Sequence, residues 1–107
     1  MNSEIKNLNL RNSFIEIDSH IKKGFGYFTI NNTSFLYNTG KRGTILNINE
    51  IDSSINVSFY NSTFKENVSL SYGGVIYSKS NSTNLYVSFN ECKFINNSAY
   101  LGILILY

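Results

Sequence analysis

Val57-Ser58-Phe59-Tyr60-Asn61-Ser62-Thr63-Phe64-Lys65-Glu66-Asn67 decides the fold, because the chain writes the same line twice more. Phe28-Thr29-Ile30-Asn31-Asn32-Thr33-Ser34-Phe35-Leu36-Tyr37-Asn38 precedes it, and Val87-Ser88-Phe89-Asn90-Glu91-Cys92-Lys93-Phe94-Ile95-Asn96-Asn97 follows it. Each copy reads apolar-x-apolar-x-polar-x-x-Phe-x-x-Asn, and the anchor rings Phe35, Phe64 and Phe94 stand 29 and 30 residues apart. Recurrence at such an interval is the signature of a repeat architecture, in which one small unit is copied and stacked.

A second motif recurs in step with the first. After each Phe-x-x-Asn, a short polar bridge leads to a glycine and an apolar strand: Gly43-Thr44-Ile45-Leu46, Gly73-Gly74-Val75-Ile76-Tyr77 and Gly102-Ile103-Leu104-Ile105. The sequence aligns Gly43 with Gly74 and Gly102, as residues that free the backbone for a sharp corner. Within each copy the apolar residues alternate, which is the period of a strand. Strands this short bury no useful face alone; stacked, each pairs in parallel with its counterpart about 4.8 Å away. Three apolar columns then follow: Ile30, Phe59 and Phe89; Phe35, Phe64 and Phe94; and Ile45, Ile76 and Leu104. Burial in such columns is worth roughly 1.5–3 kcal/mol per side chain. Asn38, Asn67 and Asn97 fall at a turn after a strand, where Asn tolerates left-handed angles and stacked amides can bond one another.

The expected fold is therefore all-β: a right-handed, single-stranded parallel β-helix, a pectin-lyase-like solenoid of three coils with a partial N-terminal one. Its expected divisions are residues 1–27 as a degenerate coil, 28–56 and 57–86 as full coils, and 87–107 as a truncated coil. The degenerate copy is placed at Leu8-Asn9-Leu10-Arg11-Asn12-Ser13-Phe14, one residue short of the pattern and with Ile17 where Asn is expected. A β-sandwich of the same strands is the alternative, but it gives no reason for Phe and Asn to recur at this spacing.

Composition agrees with strands and polar turns. The chain has 17 Asn, 15 Ser, 8 Phe and 8 Tyr among 107 residues, with no Pro and no Trp. Asn and Ser compete for backbone hydrogen bonds and disfavour helix interiors, whereas aromatic and β-branched residues favour strands. A net charge of +2, spread over scattered Lys and Arg, argues against a nucleic-acid partner. Met1-Asn2-Ser3-Glu4 carries no apolar signal core, and the last apolar run, Leu101 to Tyr107, is far below the ~20 residues a membrane helix needs. With no capping element in view, the expectation is a piece of a longer protein. Its unpaired end strands favour end-to-end self-association or contact with adjoining coils.

Phe64-Lys65-Glu66-Asn67 followed by Gly73-Gly74-Val75-Ile76, together with Phe94-Ile95-Asn96-Asn97-Ser98-Ala99, resembles the repeat of the chlamydial polymorphic outer-membrane proteins. The likeness runs from about Phe28 to the C-terminus. It departs from the family pattern at Arg42-Gly43 and Leu101-Gly102, where the glycine pair is reduced to one. The resemblance implies an extracellular or cell-surface region, adhesin-like or a structural passenger. It names no protein or glycan ligand.

Because β-helices also house polysaccharide lyases and glycoside hydrolases, catalytic chemistry needs its own search. A glycosidase requires two carboxylates facing one cleft, and a lyase requires acidic metal ligands with a base. Glu16 with Asp18, and Glu50 with Asp52, are the candidate pairs, each expected on one strand face, yet both fall in polar outer segments. His20, beside Lys22 and Lys23, has no partner of a triad or metal cluster. Cys92 occupies the column of Thr33 and Ser62 and reads as a small stacked residue. Gly24-Phe25-Gly26 is too short for a nucleotide loop. Asn-x-Ser/Thr occurs at Asn31, Asn32, Asn56, Asn61, Asn67, Asn81 and Asn96, a by-product of the repeat or a set of glycan acceptors. The expectation is a non-enzymatic interaction module with no catalytic, metal or cofactor residues; the alternative is a fragment of a lyase or hydrolase whose catalytic coils lie elsewhere.

Overall fold

A computed structural model of the chain describes residues 3–10, 13–18 and 26–100, and the backbone of 105–106. It is all-β apart from one helical turn, α1 (Thr83–Tyr86). The strands lie in four sheets. Sheet I holds β1 (Ser3–Lys6), β4 (Thr33–Leu36), β8 (Thr63–Lys65) and β12 (Lys93–Ile95). Sheet II holds β5 (Thr39–Gly40), β9 (Val68–Ser69) and β13 (Ser98–Ala99). Sheet III holds β2 (Ile15–Asp18), β6 (Leu46–Glu50), β10 (Ile76–Ser78) and β14 (Ile105–Leu106). Sheet IV holds β3 (Gly26–Asn31), β7 (Ile55–Tyr60) and β11 (Val87–Asn90). From β4 onward the chain visits the sheets in the order I, II, III, IV and then repeats it.

Every strand pairing among the described residues is parallel. An ordinary sandwich needs antiparallel pairs. The register is the one the repeat demands in sheets I and IV. Phe35 faces Phe64, which faces Phe94, and Ile30 faces Phe59, which faces Phe89. These paired rings share the inner face because alternate residues of a strand point to the same side.

The core is two ring columns meeting at an angle. Phe35 and Phe64 stack at 5.0 Å with planes 1° apart, Phe64 and Phe94 at 5.0 Å and 9°, and Phe59 and Phe89 at 4.9 Å and 9°. Between columns the rings meet edge to face, Phe59 on Phe64 at 5.4 Å and 72°, Phe64 on Phe89 at 5.7 Å and 81°. Such pairs place a ring's positive edge on its neighbour's negative face. Ile45, Leu46, Ile48, Ile51, Val75 and Ile76 complete the buried cluster from sheet III and its flanks.

The third expected column needs correction. Ile76 pairs with Leu46 on one side and Ile105 on the other, not with Ile45 and Leu104. Gly102 and Leu104 lie outside the described residues. The glycine alignment shifts with it. Gly43 corresponds to Gly73, and Thr44 stands where the second copy has Gly74: Gly43 and Gly73 share left-handed backbone, φ 56° and 68°. A Cβ on Gly43 would run into the carbonyl oxygen of Leu46, and one on Gly73 into that of Ile76. Thr44 instead uses its position, donating its hydroxyl to the Gly74 carbonyl at 2.7 Å. Gly73→Ala is expected to cost about 2 kcal/mol or more. Gly74→Ala has ordinary φ but sets its Cβ 3.1 Å from the Ser98 backbone, so it should cost less than Gly73→Ala without being free; urea unfolding of both variants separates the two assignments.

The N-terminal strands take a register other than that of the expected copy at Leu8 to Phe14. Ser3–Lys6 pairs with Thr33–Leu36, so Ile5 stands in the Phe35 column. Ile15 and Ile17 pair with Leu46 and Ile48. Leu8 donates its N–H to the Asn38 side chain at 3.1 Å, as Asn38 does to Asn67, and so takes the asparagine position. Apolar residues have replaced both hallmarks, which is why the segment from Leu8 to Phe14 offered a misleading match.

Candidate functional site

The polar counterpart of the ring columns is an amide ladder. The Asn67 side-chain oxygen accepts the Asn38 backbone N–H at 3.1 Å and the Asn38 amide at 3.0 Å. Asn67 donates in turn to the Phe35 carbonyl at 3.0 Å and to the Asn97 oxygen at 2.8 Å. Asn97 repeats the donation to the Phe64 carbonyl at 2.8 Å, and Asn38 does so to Ile5 at 3.1 Å. Asn38 and Asn67 are fully buried. This satisfies the rule that a buried amide must be bonded, and it fixes the register one copy at a time.

The left-handed angle falls one residue before the asparagine, not on it. Asn7, Tyr37, Glu66 and Asn96 have φ of 57°, 58°, 52° and 52°. That turn frees the following asparagine to point inward along the stack. Asn32, Asn61 and Glu91 form a second left-handed column, φ 50°, 51° and 54°, ahead of Thr33, Ser62 and Cys92. Tyr and Glu carry a steric cost here that Asn largely avoids. Tyr37→Asn and Glu66→Asn are therefore each expected to raise stability by about 0.5–1 kcal/mol. Thermal unfolding reads the gain.

Cys92 belongs to its column by geometry as well as by spacing. The Thr33 hydroxyl donates to the Asn31 carbonyl at 2.9 Å, that of Ser62 to Tyr60 at 3.0 Å, and the Cys92 thiol to Asn90 at 3.5 Å. All three close the same local turn two residues back.

The acidic pairs are held by neighbours. Asn47 donates to Glu16 at 3.4 Å and Asn49 to Asp18 at 2.8 Å, across the outer face of sheet III. Glu50 accepts the Ser80 hydroxyl at 2.8 Å, and Asp52 accepts the N–H and hydroxyl of Ser54 at 2.9 and 2.6 Å. Glu50 and Asp52 do not share a strand face: β6 ends at Glu50, and Asp52 lies beyond it. Among the described residues no group of three or more His, Cys, Asp or Glu is placed to hold a metal ion. His20, Lys22, Lys23 and Gly24-Phe25 lie outside the described residues. Of the sequons, Asn67 is buried in the ladder, whereas Asn31, Asn32, Asn61, Asn81 and Asn96 are exposed.

What the sequence did not reveal is a cationic and aromatic cluster on the outer face of sheet III, around β10. The Arg42 guanidinium carbon lies 5.6 Å from the centroid of the Tyr77 ring. Tyr72 lies 6.1 Å from the same ring, with planes 31° apart. Arg42 and Tyr72 precede the equivalent glycines Gly43 and Gly73, and the Gly43 N–H donates to the Tyr72 carbonyl at 3.0 Å. Stacking therefore brings together residues 30 and more apart in sequence.

Residues 61–79 match the model of the Chlamydia polymorphic membrane protein repeat. This stretch contains β8, β9 and β10, together with Phe64, Asn67 and the Gly73-Gly74 pair, the motifs on which the resemblance was drawn. No curated protein and no solved structure matches the chain. No helix among the described residues is long and apolar enough to cross a membrane.

Proposed function

We propose that this chain is a length of right-handed parallel β-helix in a surface-exposed protein, serving as a non-enzymatic, adhesive or structural interaction module. The match of residues 61–79 to a membrane-protein repeat is the observation that carries the surface reading. Support for the solenoid comes from the fixed order in which the chain revisits its four sheets, and crossovers between parallel strands are right-handed in nearly all folds. Support for a non-catalytic role comes from the acids. Glu16, Asp18, Glu50 and Asp52 spend their oxygens on neighbouring amides and hydroxyls rather than facing one another across a cleft.

The outward residues suit binding. Outer faces carry hydroxyls repeated once per copy, as at Thr29, Ser58 and Ser88 along sheet IV, together with scattered amides and phenols. The test presents the immobilised full chain to cultured cells and to a glycan array, with the heat-unfolded chain as control. Retention of cells or of a defined glycan class is expected. Failure to retain either, or release of reducing ends from a polysaccharide, would overturn the reading.

A further inference from the structure

We infer that the outer face of sheet III around Tyr77 is a binding site for acidic saccharides, with Arg42 and Lys79 as the anion-binding groups and Tyr72 as the sugar platform. This rests on the interaction-module reading and names its ligand class. The Arg42 guanidinium is held against the Tyr77 ring at 5.6 Å, a cation–π contact that limits its rotamers while its N–H groups stay available. A guanidinium so placed offers paired donors to a carboxylate or sulfate. Lys79 lies just past β10, but its N–H still donates to the Ile48 carbonyl at 2.9 Å, so the ladder runs one residue on and leaves Lys79 exposed on the side of Tyr77, with Ser78 buried between them. Among the described residues neither Arg42 nor Lys79 forms an ion pair with a carboxylate. Tyr72 is 41% exposed and lies beside the Tyr77 ring, so a pyranose ring can lie on it while its acidic substituent reaches Arg42.

The rest of the face sets the direction of approach. Asn47 pairs with Tyr77 across the strands and donates to Glu16, whose carboxylate therefore lies two strands from Tyr77. Asp18 occupies the same distant strand, bonded to Asn49. The Ser80 hydroxyl, next along the chain from Lys79, holds Glu50 at 2.8 Å, so an anion is favoured at the Arg42 end of β10 and disfavoured toward Glu50 and β2.

Isothermal titration calorimetry of the full chain at physiological salt tests the site with three probes: a heparin-derived hexasaccharide, an oligogalacturonate and neutral maltohexaose. Binding of the first two identifies the carboxylate as sufficient, binding of the first alone identifies sulfate, and maltohexaose should not bind. Arg42→Ala should weaken binding roughly tenfold or more, a factor ordinary for a lost charge-assisted pair. Lys93→Ala, exposed on sheet I, should change it by less than about twofold. Circular dichroism confirms that the variants fold. Equal binding of maltohexaose, an unchanged Arg42→Ala affinity, or an equal loss in Lys93→Ala would overturn the site. If no saccharide binds while the chain still retains cells, this site is refuted and the module reading stands; if cells are not retained either, both fall.

Discussion

Asn67→Ala should lower the unfolding free energy by roughly 4 kcal/mol, since it abandons several buried polar groups at about 1–3 kcal/mol each. The Phe35 carbonyl loses its donor, and the backbone N–H and side-chain amide of Asn38 lose their acceptor. Asn67 is wholly buried, so these groups lie out of contact with bulk water. A domain of this size holds about 5–15 kcal/mol in total, so the variant sits near unfolding. Asn97→Ala should cost less, because Asn97 is only half-buried and ends the described ladder. The order of the two losses in urea unfolding, Asn67 above Asn97, checks that amides bond from copy to copy rather than each to its own turn.

Phe64→Ala is the second large effect, expected at about 3–5 kcal/mol. Phe64 is wholly buried and touches four rings: Phe35 and Phe94 stacked, Phe59 and Phe89 edge-on. Its removal opens a void where the two columns cross. Phe94→Ala should cost markedly less, since Phe94 meets two described rings and is only half-buried. Phe64→Leu, which keeps most of the volume, should cost about 1.5 kcal/mol or less. Equal losses at Phe64 and Phe94 would mean the rings are not stacked.

The rings and amides were legible in the sequence because their identities survive from copy to copy. Phe35, Phe64 and Phe94 must each be large and flat to fill one slot, and Asn38, Asn67 and Asn97 must each both donate and accept. Identity therefore carries register. Where several residues serve equally well, register is lost from view. Ile45 and Leu46 are both apolar and both buried, so nothing in the letters says which one faces Ile76. Gly73 and Gly74 differ only in φ, which a sequence does not display. Ile5 and Leu8 keep their places in the stack without keeping its chemistry, and the N-terminal copy was misaligned for that reason. Tyr37 and Glu66 occupy left-handed backbone that their side chains would not choose, at a turn that recurs at Asn7 and Asn96.

The candidate binding site was illegible for a different reason. Arg42, Tyr72 and Tyr77 belong to two copies, and neither copy carries the full set. Lys41-Arg42 read alone is a solvated turn. Only the pairing of β6 with β10 sets the guanidinium against the ring, so the surface inherits its chemistry from the register of the core.

The register itself is open to a direct test by disulfide cross-linking. Ser58 and Ser88 face each other on the outside of sheet IV with their hydroxyl oxygens 3.1 Å apart. Parallel neighbours at about 4.8 Å lie within reach of a disulfide. In a Cys92→Ser background, Ser58→Cys with Ser88→Cys should close an intramolecular disulfide under mild oxidation. The cross-linked chain should keep its strand signature and unfold at higher urea. A pair that stays reduced, or closes only with loss of the fold, would contradict the stacking of like on like on which the columns, the ladder and the surface all depend.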